Sequence, residues 1–185
     1  MSISLPNTKN QNGKIEMKFL SFLLLVFLSF SSLSEGWEVS DDNWMSVRGD
    51  TVNSHKFGFV KNTKSCDNHM PFLTWSTYEK GLEEFEGSEV DMEFYFGLKR
   101  GIISMELVKV FNTPLMSLAM FSNVYVSDKF LDFMGRYDNL TINFVGPKEL
   151  VDKLDIKIDD FNISGFKNTF DQVQTQCKSL NTSSS

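Results

Sequence analysis

The chain has 185 residues and a formal net charge of −6 at pH 7, from 18 Lys and Arg against 24 Asp and Glu. This balance argues against nonspecific binding to nucleic acid or to anionic membranes, because both require clustered cations. The length suits one domain preceded by a targeting segment, and 18 Phe residues supply a large apolar area for its core.

Residues 1–34 have the layout of a secretory signal peptide. Lys18 precedes the apolar run 19–30, and the small-x-small pattern at 32–34 precedes Glu35. The run contains serines and is shorter than the ~20 apolar residues that span a membrane. We therefore expect cleavage before Glu35, with an uncleaved membrane anchor as the alternative.

Short segments of alternating or aromatic-rich sequence predict β-strands in the first half of the domain. We place this single domain at 35–180 and expect a disordered polar tail at 181–185. Turn-forming residues separate the segments, and the loop 62–68 holds Cys66. The predicted strands are 37–40, 45–48, 56–60 and 72–78.

The most regular alternation in the chain predicts a β-hairpin at 90–107. Apolar and polar residues alternate from Val90 to Leu98, Lys99-Arg100-Gly101 forms the turn, and the alternation returns from Ile103 to Leu107. This period of two places one face of both strands in the core and the other in water. A pairing shift of one residue would expose the apolar face, so the register is well specified.

A group of acidic residues around the start of this hairpin is the candidate binding surface. We interpret it as a solvated sheet face, because charge keeps a sheet soluble. The alternatives are a binding surface for a basic partner and a pair of catalytic carboxylates of the kind that glycosidases use. The residues of this acidic surface are Glu83, Glu84, Glu86, Glu89, Asp91 and Glu93.

The second half of the domain mixes strands with short helices. The apolar run 115–121 suits either a buried strand or a short helix. Residues 147–154 suit a short helix that begins with a proline. The remaining segments predict strands at 123–127, 130–134, 140–145, 155–158 and 161–163.

The domain ends in an amphipathic helix that carries the second cysteine. Apolar residues recur every three or four positions from Phe166 to Leu180 and form one stripe, which includes Cys177. Because the chain has two cysteines, Cys177 can pair only with Cys66. A reducing compartment would leave two buried thiols, but the leader favours an oxidising one and therefore a disulfide.

The sequence contains no recognisable motif for covalent catalysis or for cofactor binding. Neither the Gly-x-Ser-x-Gly nucleophile elbow nor the Gly-x-Gly-x-x-Gly phosphate-binding pattern occurs. Cys66-Asp67-Asn68-His69 has the spacing of two zinc ligands, but a zinc site needs three or four. The other histidine is His55, and both histidines have loop-like surroundings. We therefore expect no catalytic residue, no cofactor and no metal.

The end of the chain resembles a closure found in small exported bacterial proteins of unknown function. In these proteins a strand, a glycine, a helix and a cysteine close a β-domain onto an earlier cysteine. Phe161–Ile163, Gly165 and Phe170–Cys177 carry the likeness here, and Trp37 and Cys66 fit the front of the pattern. The resemblance implies a periplasmic or secreted location and assigns no catalytic residue.

These patterns predict an α+β fold, with a mostly antiparallel β-sheet and a C-terminal α-helix packed on one face and held by one disulfide. We expect an exported, non-enzymatic domain that binds a protein or a small molecule, does not bind nucleic acid, and is not stably inserted in a membrane after leader cleavage. The alternatives are a secreted hydrolase that uses paired carboxylates and a carrier of a small apolar ligand. A carrier would need an open cavity of several hundred Å³.

Overall fold

The computed structural model describes residues 36–40, 44–61, 66–67, 69–123 and 125–183, with side chains described up to residue 180. The predicted leader and its cleavage site therefore lie outside the described residues. The predicted turn at 41–43 and most of the loop that holds Cys66 also lie outside them.

Nine strands of the described chain form one sheet, and every pairing within it is antiparallel. The strands are β1 (Glu38–Val39), β2 (Trp44–Arg48), β3 (Lys56–Lys61), β4 (His69–Thr77), β5 (Glu89–Phe96), β6 (Lys99–Asn112), β7 (Ser117–Ser122), β8 (Asn139–Gly146) and β9 (Ile158–Asn162). Their order across the sheet is β1-β2-β3-β4-β7-β6-β5-β8-β9. The helices are α1 (Asp128–Met134), α2 (Lys148–Val151) and α3 (Phe166–Ser183), with a 3-10 helix at Leu82–Phe85. The predicted α+β fold is confirmed.

The sheet curls until β9 meets the end of β2. Gly49, which follows β2, forms an antiparallel bridge with Phe161 in β9. The N–H of Asp50 donates to the carbonyl of Asp160 over 2.8 Å. In a flat sheet β3 and β5 would lie about 19 Å apart, since three strands separate them. The rings of Phe57 in β3 and Phe94 in β5 are only 5.9 Å apart, so the two strands face each other across an enclosed interior.

Aromatic side chains fill this interior. Trp75 in β4 lies 4.8 Å from Phe144 in β8 and 6.4 Å from Phe161 in β9, measured between ring centroids. Phe121 in β7 lies 5.2 Å from Phe144. All four side chains are buried. A closed sheet of about eight strands has an interior just wide enough for side chains to fill, and the Phe-rich composition supplies them.

Helix α3 packs on the inner face of the sheet beside β3. Phe166, at its start, lies 5.6 Å from the ring of Phe59 and 5.3 Å from that of Trp37. Val173 and Cys177 are buried on the same stripe. The predicted packing of the C-terminal helix on one face of the sheet is therefore confirmed.

The disulfide between Cys66 and Cys177 is also confirmed, and it joins residues 111 positions apart. In the chain-entropy account, closing a loop of this length stabilises the fold by up to about 4–5 kcal/mol. The bond fixes the last turns of α3 to the front of the domain.

Two predicted boundaries near the end of the chain differ from the structure. The strands predicted at 155–158 and 161–163 are a single strand, β9. The residues before it contact β4 instead, where the indole N–H of Trp75 donates to the carbonyl of Ile156 over 2.6 Å. Helix α3 continues to Ser183, into the segment where a disordered tail was predicted, and Leu180 is 48% exposed rather than buried on the stripe.

The strand predicted at 130–134 is wrong, because these residues belong to α1. The hydroxyl of Ser127 accepts a hydrogen bond from the N–H of Phe130 and caps the helix. Leu131 and Met134 are buried on one side. A serine three residues before an apolar run is an N-cap signal for a helix. This signal outweighs the strand that the short apolar run alone predicts. The ambiguous run 115–121 is a strand, β7.

The hairpin of β5 and β6 is confirmed, but its turn lies earlier than predicted. Lys99 already pairs with Phe96 as the first residue of β6, so the turn is at Gly97 and Leu98. Gly97 has φ of 60°, in the left-handed region that glycine adopts without strain. Leu98 is consequently fully exposed at the tip and does not extend the apolar face.

Candidate functional site

Both histidines lie inside the fold. The predicted loop-like surroundings are confirmed for His55, which lies in the turn between β2 and β3, and are wrong for His69, which lies in a strand. His55 immediately precedes β3 and is fully buried, and His69 begins β4 and is 5% exposed. Each therefore belongs to the packed interior, and each has a different set of neighbours.

The buried carboxylate of Asp159 joins β9 to the turn between β2 and β3. Its Oδ1 accepts hydrogen bonds from the N–H groups of Thr51 and Asp160, each over 2.8 Å. Its Oδ2 accepts one from the N–H of Val52 over 3.2 Å and lies 2.8 Å from Nδ1 of His55. Burying a carboxylate is costly unless it is hydrogen-bonded, and here four donors surround it.

The imidazole of His55 is held on its other sides as well. Its Nε2 lies 3.3 Å from the carbonyl of Ser76, and its ring stacks on Trp75 with centroids 3.8 Å apart. Burial lowers the pKa of His55, and the hydrogen bond to Asp159 partly offsets this. A Cβ at Gly49 would collide with the Asp159 carboxylate, so the close approach requires glycine there.

The His55–Asp159 pair has the geometry of a catalytic base with its orienting carboxylate, but it lacks a nucleophile. The carbonyl of Ser76 lies beside Nε2, where a nucleophilic hydroxyl would be needed. The Ser76 hydroxyl instead contacts that of Ser54 at 2.7 Å. Both paired side chains are 0% exposed, so no substrate reaches them. The pair is a structural connection between distant segments.

A second buried polar group lies where β3 and β4 meet α3. Lys61 is 2% exposed, and its Nζ lies 3.9 Å from the ring centroid of Phe170 and donates to the side chain of Gln174. Burial lowers the pKa of Lys61 to about 8 and that of its cross-strand neighbour His69 to about 4. Within the described residues, Nδ1 of His69 has no hydrogen-bond partner. These contacts anchor α3 at a cost in desolvation.

Cys66 and His69 do not form the metal-binding pair that their spacing allows. The sulfur of Cys66 is bonded to Cys177, so it is not available as a thiolate ligand. In the described ranges, no group of three or more His, Cys, Asp or Glu side chains is placed to hold a metal ion.

The acidic surface is divided between two elements. Glu83, Glu84 and Glu86 belong to the 3-10 helix and the residue after it, whereas Glu89, Asp91 and Glu93 alternate with buried residues along β5. This alternation puts the last three on the outer face of the sheet. There Asp91 accepts a hydrogen bond of 2.6 Å from the hydroxyl of Ser104 in β6.

Hydrogen bonds lower the pKa values of three of these carboxylates, those of Glu83, Glu86 and Glu93, which is the opposite of what a general acid needs. The N–H of Val110 has this effect on Glu86, over 2.8 Å, and the phenol of Tyr95 has it on Glu93. A backbone hydrogen bond likewise lowers the pKa of Glu83. These contacts favour a solvated face over a catalytic pair.

An apolar groove of about 240 Å³ lies between the tip of the β5–β6 hairpin and α1. Phe133 and Phe130 of α1 lie 5.2 and 6.3 Å from the ring of Phe96 in β5. The helix therefore forms one wall of the groove and the hairpin the other. The apolar lining residues are Phe94, Phe96, Ile103, Phe130 and Phe133.

Two cations and a glycine complete the lining of this groove: Lys99, Arg100 and Gly101. Lys99 and Gly101 pair across the hairpin with the aromatic residues of β5, so they share its inner face. A Cβ at Gly101 would meet nothing within 4 Å, and its absence leaves space open to the groove. Arg100 pairs instead with Tyr95, so its side chain lies on the outer face, where the guanidinium is 71% exposed and lies 3.8 Å from Glu93.

Two smaller pockets have a different character. One of about 170 Å³ lies between α1 and α3, with the exposed side chains of Asp128, Asp132 and Lys167 in its lining. Another of about 120 Å³ lies beside Thr77, whose hydroxyl donates to Asp155 over 2.9 Å. Ligand sites are typically mostly apolar, with a few convergent polar groups. The groove at the hairpin tip fits this description best and is the candidate site.

Comparisons of the chain with protein-family models, curated proteins and solved structures find no significant match. No helix in the part of the chain that the structure describes is long and apolar enough to cross a membrane. Function is therefore inferred from the side chains of this chain alone.

Sequence reasoning missed both the groove and the role of Asp159. The available signal for Asp159 was its place in the alternation, because it shares the inward face of β9 with Phe161 and Ile163, all three buried. A charged residue in such a series indicates a buried partner. The groove has no local signal in the sequence, since the apolar run 130–134 predicts a strand and not the helix α1 that forms one of its walls.

Asp159→Ala should lower the free energy of unfolding by about 3–5 kcal/mol, because three N–H groups and His55 lose their acceptor. Urea denaturation followed by tryptophan fluorescence measures this change. Asp160→Ala is the matched control: that carboxylate is exposed and accepts from the Thr141 hydroxyl, so its loss should cost under about 1 kcal/mol. Equal losses in the two variants would contradict the structural role of Asp159.

Lys61→Met should remove the free-energy penalty of burying a charged ammonium, and this penalty depends on pH. The pKa of Lys61 is about 8 in the fold, against 10.5 for an unperturbed lysine. Between these values the unfolded chain holds a proton that the folded chain has released, so the wild type gains stability as pH rises and the variant does not. The free energy of unfolding of the wild type minus that of the variant should increase by about 2 kcal/mol from about pH 7 to about pH 9.5.

Denaturation curves at both pH values test this expectation. Lys148→Met, which removes an ammonium that is 85% exposed, controls for the loss of one charge. A difference between wild type and Lys61→Met that stays constant with pH would show that Lys61 is not desolvated.

Proposed function

We propose that the chain is an exported, disulfide-bonded domain that acts by binding and catalyses no reaction. The observation that carries this proposal is the apolar groove at the hairpin tip, with Lys99 and Arg100 among its lining residues. Such a groove buries part of a partner against apolar side chains, while the ammonium of Lys99 fixes its orientation.

The polar groups best suited to chemistry are occupied in holding the fold, which favours binding over a secreted hydrolase. His55 and Asp159 are enclosed, and Lys61 lies beneath α3. The carboxylates of Glu86 and Glu93 accept hydrogen bonds that keep them ionised.

The dimensions of the groove favour partial burial of a ligand over full enclosure by a carrier. Its volume of about 240 Å³ is below the ~300–1,000 Å³ of pockets that enclose drug-sized molecules. Aromatic side chains occupy the interior of the sheet. The acidic surface is a second candidate, for a basic partner, because Glu84 and Glu89 there are exposed.

A secreted or periplasmic location is supported by two features of the chain. The leader pattern at 1–34 is typical of secretory signal peptides, and a disulfide between distant cysteines suits an oxidising compartment.

Intact-mass spectrometry of exported material, without reductant, tests the location and the disulfide together. The chain should begin near Glu35, because the small-x-small pattern precedes that residue. Reduction should then add the mass of two hydrogens, since both cysteines are in one bond. A chain that retains Met1 or Met17, or a mass unchanged on reduction, would contradict this part of the proposal.

A neutral aromatic probe, N-phenyl-1-naphthylamine, should bind the groove with a rise in fluorescence. Gly101→Leu should weaken its binding roughly tenfold, because a Cβ there meets nothing within 4 Å and the rest of the side chain occupies the space of the groove. Ser104→Leu places the same side chain on the outer face of β6 and should leave binding unchanged. Absence of probe binding, or equal binding by wild type and Gly101→Leu, would exclude the groove as the binding site.

A further inference from the structure

We propose that the groove binds a small anionic amphiphile, consisting of one aromatic ring or one short alkyl chain that carries a carboxylate. This inference rests on the proposed binding function and adds the chemical class of the ligand. It follows from the volume of the groove, from the polar groups in its lining, and from the partners that those groups have.

The volume limits the apolar part of the ligand. The groove holds about 240 Å³, which exceeds the ~150 Å³ of an engineered protein cavity that takes up benzene. One ring or one short chain therefore fits. A sterol or a long-chain lipid would leave most of its apolar surface in water.

Lys99 is the charged lining residue that lies on the inner face of the sheet. It supplies donors only, and the other lining residues of that face and of α1 are Phe, Ile and Gly. A carboxylate complements this set, because an ammonium pairs with its charge. A sugar or a cation would find no acceptor among these side chains.

The ammonium of Lys99 remains able to take a ligand. Among the described residues Lys99 has no ion-pair partner within 4.0 Å. The guanidinium of Arg100 lies on the outer face, 3.8 Å from Glu93. A ligand carboxylate at this end of the groove therefore gains a cationic partner without breaking an ion pair.

The arrangement also fixes the orientation of the ligand. Lys99 lies at the hairpin tip, and Ile103 lies four residues further along the same inner face of β6. Gly101 lies between them and leaves the space open. The carboxylate would thus lie near the tip, and the apolar part would extend along β6 towards Ile103.

Octanoate and 1-octanol test this inference, because they share an alkyl chain and differ in charge. Each is titrated against the wild-type protein with the neutral naphthylamine probe bound, at neutral pH, where octanoate is ionised. We expect octanoate to displace the probe at a concentration about two- to fivefold lower than octanol. Lys99→Met should lose this preference, and Lys109→Met, which removes an exposed lysine of β6 outside the groove, should retain it.

Each other result has a distinct meaning. Equal displacement by the two compounds, a preference that survives in Lys99→Met, or failure of octanoate to displace a bound probe overturns the anionic class of ligand and leaves the groove as a binding site. Failure of the probe itself to bind the wild type overturns the proposed function.

Discussion

The buried carboxylate of Asp159 is the constraint on which closure of the sheet depends. It places a charge in an aromatic interior, where an unpaired ion would cost several kcal/mol. Three of its four donors, Thr51, Val52 and His55, lie more than 100 residues earlier in the chain. The charge is therefore satisfied only when β9 meets the turn after β2. Closure of the sheet and stabilisation of the ion therefore occur together. Partial opening of the sheet between β9 and the turn after β2 is unfavourable, because it would leave the ion without its donors.

Closure also determines where function can lie. Because aromatic side chains fill the interior, only the ends and outer faces of the sheet are open to a partner. At one end α1 lies across the tip of the β5–β6 hairpin, and Gly101 keeps the space between them open. Polar groups are thus separated in space: His55 and Asp159 hold the fold, whereas Lys99 lines the groove.

The parts of the fold that were predicted correctly depend on local patterns. The alternation from Val90 to Leu107 specified a hairpin because a period of two is readable within one strand, and the stripe from Phe166 specified the inner face of α3. The errors arose where a short apolar run suits either a strand or a helix. At 130–134 the hydrogen bond to the Ser127 hydroxyl caps the chain as a helix. The Asp159–His55 contact and the groove join segments distant in sequence, and no pattern in one segment specifies its partner.

Native-state hydrogen exchange at the amides of Thr51, Val52 and Asp160 tests the central claim most directly. These three N–H groups donate to Asp159, so each should exchange only when the sheet opens. Their opening free energies should equal the global free energy of unfolding measured under the same conditions. If these amides exchanged through a local opening whose free energy is several kcal/mol below that of global unfolding, the sheet would open at this point without unfolding. That result would contradict the role assigned to Asp159.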